Sequence, residues 1–154
     1  MANIVPYSFP VQLLSGAHQF QSGGNNFYLS LYTANPYTTA STVYTSTSEV
    51  SSAGGSQYTA GGNLLTSQAV SNVSNVATVD FADSVWGSPT PATFTAAFGA
   101  IYNSSSSNKL VVVLDFGGSK TCTNGTFTVT FPSPTGGSPS GSDAIISITS
   151  ELGD

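Results

Sequence analysis

The sequence predicts an all-β protein: a single-domain antiparallel β-sandwich or jelly roll preceded by one short helix. Three observations predict it. Apolar and polar residues alternate in short runs, the period of a half-buried strand. Clusters of Gly, Pro, Ser and Asn that favour turns separate those runs. Only one segment offers a plausible helix start.

That segment is SFPVQLLSGA, Ser8 to Ala17. Ser8 suits a cap, Pro10 suits a first turn, and Gly16 keeps any helix short. Next, in FYLSLYT, Phe27, Leu29 and Leu31 alternate with Tyr28, Ser30 and Tyr32. Residues 34–62 are mostly Ser, Thr, Gly and Tyr and read as long loops, with a turn of helix near Ser46 to Val50. Gly61 to Thr66 re-enters a strand, and Val76 to Phe81 alternates again. In PATFTAAFGAIYN, Phe94, Ala96, Phe98 and Ala100 fall on one face and Thr93, Thr95, Ala97, Gly99 and Ile101 on the other. Leu110 to Leu114 is an apolar run too short for a helix and suits a central strand. Thr126 to Phe131 alternates, Pro132 to Asp143 is a Gly/Pro/Ser loop, and Ala144 to Ile148 is a last strand. About seven strands with turns between them make the sandwich pattern. The expected division is an N-terminal arm, residues 1–10, and one domain, residues 11–154.

Composition narrows function. Only 6% of the 154 residues are charged, against ~25% in ordinary soluble domains. Lys109 and Lys120 are the only basic residues besides His18, and the net charge is -5. Nucleic-acid binding needs several phosphate-neutralising cations on one surface, so no nucleic-acid partner is expected. The same shortage argues against anionic membranes, and no segment is long and apolar enough to span one. Ser and Thr number 45, so hydroxyls rather than charges solubilise the surface. Cys122 is alone, which leaves no disulfide framework and no thiolate metal cluster. The start, MANIVPYSFPVQLL, lacks the basic region and apolar run of a signal peptide.

VVVLDFGGSKTCTNGTF contains two fragments with a nucleotide-binding look, Asp115-Phe116-Gly117 and Gly117-Gly118-Ser119-Lys120-Thr121. A phosphate loop needs G-x-x-x-x-G-K-[ST] and then a helix. Here Ser119 precedes Lys120, Leu114 stands where the first Gly belongs, and a strand follows, so no helix dipole meets a phosphate. The better reading is a strand ending at Leu114, a turn begun by Gly117-Gly118, and Asn124-Gly125 before the next strand. Asp115 and Lys120 are placed to pair across that turn.

His18 is the only histidine and no G-x-S-x-G elbow accompanies it, so neither a Ser–His nor a Cys122–His18 site is favoured. Asp80 and Asp83 are three apart, without the spacing of a calcium loop. Trp86 and the tyrosines offer either a sugar-stacking platform or, more commonly, core and interface area. No catalytic, cofactor-binding or metal residue is assigned, and no enzyme activity is expected.

Several short segments form an ordered set: Leu31-Tyr32-Thr33, Glu49-Val50, Tyr58-Thr59-Ala60-Gly61-Gly62, Asp80-Phe81 with Trp86, Ile101-Tyr102-Asn103, and Leu114-Asp115-Phe116-Gly117 with Lys120 and Asn124-Gly125. In that order, from about Ser8 to Phe131, the chain resembles a family of small structural proteins of tailed-bacteriophage virions. It departs from them in carrying less charge, with Ala97-Phe98 where members often have an arginine. The resemblance implies a non-enzymatic virion component, foremost a capsid decoration (cement) protein that binds and stabilises the shell of major capsid protein. Tail, adaptor or fibre-associated roles are the alternative, and a non-catalytic carbohydrate-binding sandwich is another. A decoration protein gains by avidity from oligomerising, which favours a homo-oligomer, a trimer above all. Such a protein is made in the bacterial cytoplasm and ends on the capsid exterior. The apolar, Pro-flanked arm suggests interface candidates Ile4, Val5, Tyr7 and Phe9, joined by Trp86.

Overall fold

The structure, a computed structural model, describes residues 2–73, 75–132 and 144–149. Its helix, α1, spans Ser8–Leu14. Tyr7 rather than Ser8 takes the cap position, without a side-chain bond. Pro10 sits in the first turn, where a missing N–H leaves no bond unmade. Gly16, at φ +76°, then turns the chain out of the helix. The boundary expected at residue 10 therefore falls inside α1, and the described arm is residues 2–7.

Nine strands follow among the described residues: β1 Phe27–Tyr32, β2 Asn63–Leu64, β3 Ala69–Val73, β4 Val76–Asp80, β5 Ser84–Trp86, β6 Ala92–Asn103, β7 Lys109–Gly125, β8 Phe127–Val129 and β9 Ile146–Thr149. They form three antiparallel sheets, ordered β2-β1-β6-β7, β3-β4-β9 and β5-β8. The all-β sandwich class with one short N-terminal helix is the fold observed.

One core joins all three sheets. The large sheet contributes Phe27, Leu29, Leu31, Phe94 and Ile101, and the small sheets contribute Val79, Trp86, Phe127 and Val129. Aromatic rings run through it in contact: Phe20 stacks on Phe27 with centroids 4.4 Å apart, and Trp86 meets Phe94 and Phe127 edge-on. Such pairs add to the area they bury.

The large sheet is covered on its other face too. Tyr32, Tyr37, Ala100, Leu110 and Val113 form a second apolar layer with Ile4, Tyr44 and Phe98. The loop of residues 33–62 lies over this face and supplies Tyr37 and Tyr44; the arm supplies Ile4. The alternation in FYLSLYT thus marks a strand buried on both sides, not one half exposed: Ser30 and Tyr32 are fully buried. Their hydroxyls make this possible, because Tyr32 Oη bonds Ser30 Oγ (2.9 Å) and Tyr37 Oη (2.6 Å) and donates to Thr45 O (2.8 Å). A buried hydroxyl left unbonded would be destabilising.

Three further expectations are corrected. The strand expected to end at Leu114 continues to Gly125. Gly117-Gly118 is a bulge and not a hairpin turn, since Phe98 pairs with Asp115 and Ala96 with Lys120. Three extra residues on β7 need the positive φ of both glycines, +71° and +118°. The same irregularity breaks the face assignment on β6. Phe94, Ala96 and Ile101 face the main core, while Phe98 and Ala100 face the second layer. The helical turn expected near Ser46 is a tight turn, closed by Glu49 N–H to Ser46 O at 3.2 Å. The loop expected over 132–143 lies outside the described residues from 133 onward.

Candidate functional site

Two features stand out: a carboxylate surrounded by tyrosines, and an exposed apolar face. The first is built by the 33–62 loop. Glu49 forms a β-bridge with Tyr32. This places its carboxyl against three donors: Tyr58 Oη–H to Oε1 (2.6 Å), Gly61 N–H to Oε1 (2.7 Å) and Tyr44 Oη–H to Oε2 (2.7 Å). Tyr58 Oη also accepts from Leu31 N–H (3.0 Å), and Tyr102 Oη–H donates to Gly61 O (2.8 Å). Val50 N–H closes onto Leu31 O at 2.9 Å. The tight approach needs Gly62: at φ +82° a Cβ there would overlap Leu29 O.

Burial first, then the hydrogen bond to the Glu49 carboxylate, holds the Tyr58 and Tyr44 phenols far above the usual range. Burial and the Glu49 charge push Tyr102 up to about 12. As neutral donors, these phenols latch the loop to the Glu49 carboxyl.

Four segments distant in the sequence meet here. Leu31-Tyr32-Thr33, Glu49-Val50, Tyr58 to Gly62 and Ile101-Tyr102-Asn103 lie far apart in the chain and form one hydrogen-bonded unit. Thr33 N–H to Ser48 O (2.9 Å) extends it.

The second feature surrounds α1. Phe9 and Leu13, four apart, turn inward to the core. Tyr7, Val11 and Leu14, at i, i+4 and i+7, point outward and are 75%, 68% and 90% exposed. Beside them lies a hollow of about 390 Å³, walled by Val5, Phe9, Leu13, Val112, Ile146 and Ile148 among others. A second hollow of about 200 Å³ shares Leu13, Ile146 and Ile148 and reaches Val70. The two make one apolar trough between α1 and β9. Val5, Val70 and Ile148 along it are each about half exposed.

Of the interface candidates, Val5 and Tyr7 lie on this face. Ile4 is partly buried and pairs with Val113 through two backbone bonds (2.9 and 2.8 Å). Phe9 and Trp86 are core residues, 6% and 3% exposed, so both side chains serve the fold of their own chain. Val11 and Leu14 complete the stripe. Their helical spacing from Tyr7 was the available signal; His18 lies beyond the helix and inside the protein.

His18 is 4% exposed. It donates from Nε2 to Gln12 Oε1 (3.0 Å) and accepts at Nδ1 from Asn103 Nδ2 (3.1 Å). Burial, aided by Lys109, lowers its pKa to about 4. It ties α1 to the end of β6 as a neutral ring. Cys122 is buried and its Sγ lies 3.3 Å from Ala92 O. Asp83 Oδ1 accepts from Phe131 N–H (2.9 Å) at the end of β8, and Asp80 is partly buried on β4. Among the described residues, no group of three or more His, Cys, Asp or Glu is arranged to hold a metal ion, and no helix is long and apolar enough to cross a membrane.

Comparison with protein-family models, with curated proteins and with solved structures returned no match to this chain.

Proposed function

We propose that this chain is a non-enzymatic structural protein of a tailed-bacteriophage virion, acting as a capsid decoration protein. It binds the major capsid protein on the outside of the shell and stabilises it, as a homo-oligomer with a trimer favoured. One observation carries the reading: four of the six segments behind the resemblance converge on the Glu49 latch. Scattered letters shared by chance have no reason to meet in space. Segments that jointly pin a loop over a sheet act as one structural signature. The exposed Tyr7–Val11–Leu14 stripe agrees, since large apolar groups left in water mark protein contact.

A tail or adaptor role shares the same signature and differs in copy number. The sugar-binding reading loses its main residue, because Trp86 is enclosed by Tyr58, Phe94 and Phe127 and offers no open stacking face.

The test is co-sedimentation of the purified protein with phage heads that lack it, with copies counted per shell. Saturable binding in the hundreds, with a gain in the heat resistance of the shell, is the expected result. Six to twelve copies, or binding to tails alone, would move the protein to the tail. No binding to either would sink the virion reading.

A further inference from the structure

We propose that the α1–β9 face is a homotypic contact, in which the helix stripe of one copy packs into the trough of a neighbouring copy. The inference rests on the exposed face and stands without the virion reading.

Charge selects the occupant. The chain carries -5 overall, so two copies repel over most approaches. Among the described residues, none lining either hollow of the trough is charged. This is therefore a face on which copies meet without setting like charges against each other.

Shape agrees. Leu14, 90% exposed, projects beside a hollow of about 390 Å³ that it also helps to line. A projection and a hollow on one face are what a self-complementary contact requires, since each copy offers both.

Area sets the strength. Tyr7, Val11, Leu14, Val5, Val70 and Ile148 are each about half exposed or more. Together they expose on the order of 700 Å² per copy, of which a contact buries only part, short of the about 800 Å² per partner of a standard complex. The contact is weak between free copies and becomes strong where copies are already held side by side.

Sedimentation velocity on the full chain tests this, from micromolar to near-millimolar protein, in dilute buffer and in sodium sulfate. Sulfate screens the repulsion and strengthens apolar burial. The expected result is an average mass that rises with concentration and rises further with sulfate. Leu14→Asp should weaken association at least ~10-fold, as burying an unpaired charge requires. Because Leu14 is exposed, its thermal unfolding should match that of the wild type. A wild-type mass that stays monomeric throughout would overturn the proposal, and so would a folded Leu14→Asp chain that associates like the wild type. A protein that decorates heads yet never self-associates through α1 would lose this inference alone.

Discussion

Replacing Glu49 with alanine removes one acceptor from three donors at once. Tyr58 Oη–H, Gly61 N–H and Tyr44 Oη–H all end on its carboxyl, at 2.6 to 2.7 Å. A bond to a charged group contributes about 1.5–3 kcal/mol. Glu49 is only partly buried and water can enter on its Tyr44 side, so about 1 kcal/mol per bond is the fairer figure. The sum, about 3 kcal/mol, corresponds to a fall in Tm of roughly 6–12 °C for a chain of this size. Tyr44→Phe removes one of the three bonds and should cost about 1 kcal/mol. Urea unfolding of wild type, Glu49→Ala, Tyr44→Phe and the double variant would measure the coupling directly. Glu49 and Tyr44 should be coupled by about 1 kcal/mol. A Glu49→Ala loss below about 1 kcal/mol, or strict additivity with Tyr44→Phe, would refute the latch.

Two further outcomes are expected. The His18 pKa falls from 6.5 to about 4 on folding, so the unfolded chain takes up its proton first as pH drops. Stability from this group is complete above pH 6.5 and is lost as pH falls towards 4. The loss is about 2 kcal/mol after allowing for partial solvation. Urea midpoints measured across that range should show it, and His18→Gln should flatten the dependence; an unchanged slope would dissociate His18 from it. Gly62→Ala should lower stability by about 3 kcal/mol or more, through both the positive φ and the overlap with Leu29 O. A Tm within a few degrees of wild type, read by circular dichroism, would contradict that geometry.

Much of the sheet was legible in the sequence. Strands β1, β4 and β6 announce themselves by alternation, because a strand facing a core must alternate. β5 is missed because three residues carry no period, and β3, Ala69–Val73, because Ser71 and Asn72 interrupt its apolar run. Gly117-Gly118 read as a turn because local chemistry cannot distinguish a turn from a bulge; both need positive φ, and only the partner strand decides. The swap of faces along β6 follows from that bulge and is invisible for the same reason. The Glu49 latch lay beyond local reading altogether. Its bonds reach over 9 and 12 residues, and the associated Tyr102–Gly61 bond over 41, so they depend on the path of a loop without periodicity. The one available hint was a lone carboxylate among tyrosines in a chain nearly devoid of charge.

The placement of the arm bears on solubility. An outermost strand presents unpaired N–H and C=O groups to any passing strand, and proteins usually guard such edges with lysine or other charges. With two lysines in the whole chain, that means is hardly available. β7 is guarded instead by the arm and by the 33–62 loop. Ile4 pairs with Val113, Asn3 Oδ1 accepts from Asp115 N–H, and Leu110 N–H is taken by Thr42 O. Asn3, Ile4 and Thr42 thus act as gatekeepers: they keep a long strand from templating edge-to-edge aggregation in a protein that has few charges with which to prevent it.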